Sequence, residues 1–160
     1  METDRISISE LRALQQQEKK RKRGPVTPDA ALPVQCYITD FTLFLSLPIV
    51  TVSEANNREH WTAQNARKQQ QQSEVRWEWK RLVKRWRPPL PCTIRFTRLG
   101  PNKLDSDNLQ RAFKGIRDEV CSLIGEDDGS PLLDFEYHQA PFESGPRQYQ
   151  VRIEIRPRES

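Results

Sequence analysis

Leu104-Asp105-Ser106-Asp107-Asn108-Leu109-Gln110-Arg111-Ala112-Phe113-Lys114 is the stretch whose reading decides the fold. It follows Cys92-Thr93-Ile94-Arg95-Phe96-Thr97-Arg98-Leu99, whose β-branched and aromatic residues read as a strand, and the turn Gly100-Pro101-Asn102. From Leu109 onward, Ala112, Phe113, Ile116, Val120 and Leu123 recur at helical spacing. Projected at about 100° per residue they share one face, and Asp107, Arg111, Lys114 and Asp118 share the other. Gly125 is a natural helix stop. Glu126-Asp127-Asp128 comes directly after it, so acidic residues bracket one amphipathic helix.

Outward from this unit, Ile38 to Leu47 reads as a strand closed by Pro48. Ala63 to Trp86 reads as a helix with Val75, Trp79, Leu82, Val83 and Trp86 on its buried face, ended by Pro88, Pro89 and Pro91. Leu132 to His138 reads as a short strand. In Tyr149 to Arg156, Val151, Ile153 and Ile155 alternate with Arg152 and Glu154, the clearest amphipathic strand of the chain. The expected fold class is α/β or α+β: a small mixed sheet of about four strands packed by two main helices. Residues 1–35 read as a basic extension, helical in part or without fixed structure, ahead of one domain over 36–160. Its block Lys19-Lys20-Arg21-Lys22-Arg23 suits contact with phosphate or a solvated tail equally well.

The chain has 160 residues, 35% of them apolar and 30% charged, with a formal charge of +4. So polar a domain has a thin core, and a dimer interface is the natural complement. Basic residues concentrate in 19–23 and 80–87 and acids around 118–128; local blocks of this kind are the footprint of nucleic-acid contact. Cys36, Cys92 and Cys121 are odd in number and widely spaced, so they suggest neither a disulfide framework nor a zinc site. His60 and His138 are the only histidines. A reducing, cytoplasmic compartment is expected. No apolar run approaches the roughly 20 residues of a membrane helix, and the start lacks a signal-peptide core.

Two readings of the acidic residues stand side by side. Carboxylates are hard oxygen ligands suited to Mg²⁺, which takes one or two of them with waters and phosphate oxygens. They converge on one ion if a neighbouring strand brings the two ends of the helix together. Alternatively, Asp107 with Gln110 makes a capping box, and Asp128-Gly129 is an ordinary turn. On the first long helix, Trp77 falls among Lys80, Arg81 and Lys84, where it suits stacking on bases or a dimer contact alike. Trp61 reads as a core or interface residue.

The whole pattern (D-x-D-N-L entering an amphipathic helix, a basic residue one turn in, D-D past its end) resembles the RusA family of Holliday-junction resolvases. These are small Mg²⁺-dependent DNA endonucleases often carried by prophages. The resemblance spans about Thr39 to Arg156. It is strongest from Asp105 to Asp128 and weaker at Asn56-Asn57-Arg58-Glu59-His60-Trp61. It implies a homodimer in a bacterial or phage-infected cell that cuts four-way or other branched DNA by metal-assisted hydrolysis. Asp105, Asp107 and Asp128 would hold Mg²⁺ or Mn²⁺, with Asp127 adjacent, and Arg111 or Lys114 would face the phosphate. Asn56, Asn57, Arg58, Lys80, Lys84 and Lys114 would contact DNA. Two departures matter. Arg111 stands where the family has lysine, and the loop Thr51-Val52-Ser53 lacks the family's proline before Ser53. They leave open a second reading, a branched-DNA-binding protein of the same fold with weak or no activity.

Overall fold

A computed structural model describes residues 33–53, 61–141 and 148–159. The extension 1–32, with its basic block, and Asn56, Asn57 and Arg58 lie outside the described residues. Five strands form one mixed sheet: β1 (Gln35–Ile38), β2 (Leu43–Leu47), β3 (Cys92–Leu99), β4 (Leu133–Ala140) and β5 (Gln150–Pro157). Their order is β1-β2-β5-β3-β4, antiparallel throughout except for the parallel pair β3 and β4. Helix α1 is Trp61–Glu78 and helix α2 is Ser106–Ile124. The expected α+β architecture with two main helices is what the chain adopts.

The strand expected over Ile38 to Leu47 is half of a hairpin. Thr39 makes the turn: its Oγ1 accepts from the backbone N–H of Phe41 and Thr42 at 3.3 and 2.9 Å. The chain then pairs back on itself, Cys36 opposite Leu45. Helix α1 also ends earlier than expected. After Glu78 it widens into a π-helical turn, Trp79–Val83, closed by Lys84 N–H donating to the Trp79 carbonyl at 3.0 Å. Lys84 takes a φ of 57°, which stops the helix before any proline is reached. Trp86 leaves it altogether, and its indole N–H reaches the Thr39 carbonyl at 3.0 Å. Trp61 is exposed at the helix start rather than part of the core.

Alternation on the strands sends Leu43, Leu45, Leu47, Ile94, Phe96, Val151, Ile153 and Ile155 to one face. There they meet Val75 of α1, Trp79 and Val83 of the π-helical turn, and Leu109, Phe113, Ile116 and Val120 of α2. Phe96 is central, with Phe113, Phe135 and Tyr137 ring centroids 5.4, 6.3 and 5.8 Å away. The helices cross where Gly115 lets them close; a Cβ there would stand 2.9 Å from Lys68 Cγ. Beside that crossing Lys68 pairs with Asp118 at 2.8 Å and Arg76 with the buried Glu119 at 2.6 Å. Helix α2 stops at Gly125, φ 84°, with Glu126 N–H on the Cys121 carbonyl at 3.0 Å and Gly125 N–H on that of Ser122 at 3.3 Å. The three cysteines are free thiols, and burial pushes Cys92 and Cys121 up to about 11.

The other sheet face is polar. Arg95 reaches Glu136 at 2.7 Å and Glu154 at 3.4 Å, and Arg156 reaches the same two carboxylates at 3.1 and 3.5 Å. The hydrogen bond from Arg95 leads the effects that hold Glu136 below its ordinary 4.5. A carboxylate lowered on folding stabilises the fold above the unfolded value, and that gain disappears as pH falls through the folded value. Solvent screens this third-exposed pair, so Glu136→Gln should cost about 1 kcal/mol or less at pH 7. In urea titrations against pH, the gap from the parent protein should shrink steadily below 4.5. At the core, Phe96→Ala should cost about 3–5 kcal/mol in the same assay.

Candidate functional site

The turn after β3 delivers Asp105 to the start of α2 in an extended conformation, φ −69° and ψ 167°. Its Oδ1 accepts from the Asn108 backbone N–H at 2.9 Å, and its Oδ2 from Asn108 Nδ2 at 2.8 Å. The capping residue is therefore Asp105 with Asn108, not Asp107 with Gln110. Asp107 sits exposed in the first turn, where the helix dipole favours its charge. Capping leaves Asp105 spare lone pairs, since each carboxylate oxygen accepts twice.

Asp105, Ser106, Asp107, Asn108 and Arg111 line an open cavity of about 240 Å³. Asn108 is 6% exposed, and its Oδ1 is buried without a hydrogen-bond partner. The orientation of that amide is not arbitrary. A carboxylate only accepts, so the NH2 end must face Asp105 and the orphan must be the oxygen. An unpaired buried acceptor costs free energy that a cation or donor would recover. Two carboxylates and an amide oxygen form a hard donor set of the sort Mg²⁺ accepts alongside water and phosphate. The residue types lining the cavity are ones a divalent cation takes. Residue order alone did not single out Asn108, although it lies within the quoted motif; its burial at the third helical position is what marks it.

Asp127 and Asp128 do not join this cavity within one chain. Asp127 Oδ1 accepts from Gly129 N–H at 2.8 Å in a local turn, and Asp128 pairs with Arg117 at 2.9 Å. Arg117 in turn donates to the Tyr137 hydroxyl at 3.1 Å and lies over the Phe135 ring. A helix of 19 residues is about 28 Å long, and the two acidic pairs stand at its opposite ends. The strands separate them equally: Asp105 follows the Leu99–Ala140 end of the parallel pair, and Asp128 precedes the Cys92–Leu133 end. The neighbouring strand runs the wrong way to bring them together. Among the described residues no three carboxylate, imidazole or thiol groups gather as a metal site.

The basic residues divide as well. Arg111 lines the cavity and Lys114 is exposed one turn on. Lys80 and Lys84 lie just past the end of α1 towards the β1 hairpin, where burial pushes the Cys36 thiol up and Arg81 acts against it. Trp77 is exposed beside Val34, Pro48 and Glu74, burial pushing the Glu74 carboxyl up. Two further polar residues brace the approach to Asp105. Arg98, 2% exposed, donates to the carbonyls of Asn102 at 2.6 Å and Thr51 at 3.2 Å. Burial lowers its pKa, and Tyr149 acts against that. Gln139 bonds the backbone of Leu104. Each stands at an inward strand position where the alternation calls for an apolar side chain, and that mismatch was the available signal.

No family model and no curated protein matches the chain. A solved structure, the protein Atu1372 of unknown function from Agrobacterium tumefaciens, is similar at 14% identity and a TM-score of 0.45. The likeness covers 89% of this chain and 93% of that one, and at this level it carries no argument. Among the described residues no helix is long and apolar enough to cross a membrane. The capping geometry is directly testable: Asp105→Ala should cost about 1 kcal/mol, whereas Asp107→Asn should cost less than about half of that. Urea denaturation of the two variants checks the difference.

Proposed function

We propose that this chain is a Mg²⁺-dependent endonuclease of the RusA kind, acting as a homodimer on four-way or other branched DNA within a bacterial or phage-infected cell. The observation that carries the reading is the D-x-D-N cavity, lined by Asp105, Asp107, Asn108 and Arg111, with the Asn108 oxygen buried and unpaired. Asp105, Asp107 and Asn108 would hold Mg²⁺ or Mn²⁺, which supplies an acidified water and neutralises charge growing on the phosphate. Arg111 presents a fixed, forked cation to phosphate oxygens; unlike a lysine it cannot give up a proton. Lys114 extends the same positive face.

Asp127 and Asp128 require a second copy. A two-fold axis across the middle of α2 would bring the Asp127–Asp128 end of one chain to the Asp105–Asp107 end of the other. Such an arrangement places two like sites symmetrically, as paired cuts across a junction demand. Lys80, Lys84 and the Asn56-Asn57-Arg58 segment would then contact flanking phosphates. A second reading, branched-DNA binding without cleavage, draws on the separation of the acidic pairs within one chain and on Arg111.

Incubation with a synthetic four-way junction tests both. Cleavage should require Mg²⁺ or Mn²⁺, and Asp107→Asn should reduce it by about a hundredfold or more while metal-free binding persists. Binding should weaken by orders of magnitude between about 50 and 200 mM salt if six to ten phosphates are contacted. Binding with no cleavage under any divalent ion would establish the second reading. An Asp107→Asn protein that cuts at the parent rate would remove the metal assignment.

A further inference from the structure

Among the described residues the segment that carries Asp105 has no strand beside it, yet its backbone is not left unpaired. Gln139, on β4, turns its carboxamide to Leu104: Oε1 accepts from the Leu104 N–H at 2.8 Å, and Nε2 donates to the Leu104 carbonyl at 2.5 Å. A side-chain amide here does what a neighbouring strand would do, exchanging both bonds with one residue. Leu104 immediately precedes the helix cap, so these two bonds fix the peptide from which the Asp105 side chain departs.

The register places Arg98 directly opposite Gln139 on β3. Its guanidinium holds the Asn102 carbonyl on one side and the Thr51 carbonyl on the other, with the Tyr149 ring 5.6 Å away. Gly100 completes the brace, because a Cβ there would stand 2.8 Å from Arg98 Nη2. Side by side, the two polar side chains secure the turn at Asn102 and at Leu104, the two points flanking Lys103. A rigid approach matters for a cation held by two carboxylates and one amide, since misplacing a ligand costs affinity before it costs fold.

We infer that Gln139 is a positioning residue of the Asp105–Asp107–Asn108 site, holding Leu104 so that the carboxylates are set for a divalent cation. The inference rests on the metal-dependent reading above. Gln139 itself is not among the residues that line the cavity.

The test compares the parent protein, Gln139→Met, and Val83→Ala as a destabilised control at the far end of the core. Three readouts are taken: hydrogen exchange at the Leu104 amide, Mn²⁺ binding by calorimetry without DNA, and cleavage against Mg²⁺ concentration. In Gln139→Met the Leu104 amide should exchange about tenfold faster or more, with β3 and β4 amides unchanged. Mn²⁺ affinity should fall, and the Mg²⁺ concentration for half-maximal cleavage rise, by about tenfold, with saturating metal restoring most of the rate. Val83→Ala should leave both metal measures at parent values. If Gln139→Met does not fold, Gln139→Glu serves instead; it keeps the acceptor for Leu104 N–H, turns an anion to the carbonyl, and should shift the metal midpoint the same way. A freed Leu104 amide with unchanged metal dependence would overturn the positioning role and leave a purely structural clamp. A parent protein that neither binds Mn²⁺ nor cuts would overturn the functional reading first, and the positioning role with it.

Discussion

Two parallel neighbours cannot be joined by a tight turn, so pairing β3 with β4 obliges the chain to travel back along the sheet between them. Helix α2 is that return path. Its apolar stripe lies on Phe96, Phe135 and Tyr137, and its other flank meets α1 at Gly115. Because the crossover must span the sheet, whatever begins the helix and whatever ends it are held at opposite poles. The separation of the cap at Asp105 from the turn at Asp127–Asp128 follows from this one constraint.

Around Asp105 the protein tolerates polar burial that a core would otherwise exclude. Arg98 and Gln139 occupy inward strand positions, and each satisfies backbone carbonyls or amides of the turns at Thr51, Asn102 and Leu104. Asn108 goes further. One end of its amide is fixed by Asp105 and the other has no partner. Elsewhere the same sheet keeps its charges on the open face, where arginines and glutamates alternate in a shared network. Charge at the strand ends is thus aimed at holding a turn, and charge in the strand middles at covering a surface.

Local pattern carried much of the fold into view. The alternation of Val151, Ile153 and Ile155, the stripe from Leu109 to Val120 and the stop at Gly125 all rest on short-range sterics and periodicity, and the structure has them as expected. The hairpin at Thr39 was hidden because its turn uses a threonine hydroxyl in place of a glycine or proline signal. The end of α1 was hidden for a different reason. The π-helical turn at Trp79–Val83 answers to packing under the sheet, and Trp86 leaves to bond Thr39, a partner 47 residues away.

By itself the sequence determined the order strand, turn, capped amphipathic helix, acidic turn, and with it the residue types available for a hard-ligand site. Those features depend on neighbours within a few positions. Only the tertiary structure decided that Asn108 keeps an unpaired oxygen, that Gln139 holds Leu104, and that β4 runs parallel to β3 so that no strand brings the two acidic pairs together. Each of these turns on the direction of a strand or the depth of a side chain beneath others. Such quantities exist only once distant segments have packed, so no local pattern along the chain contains them.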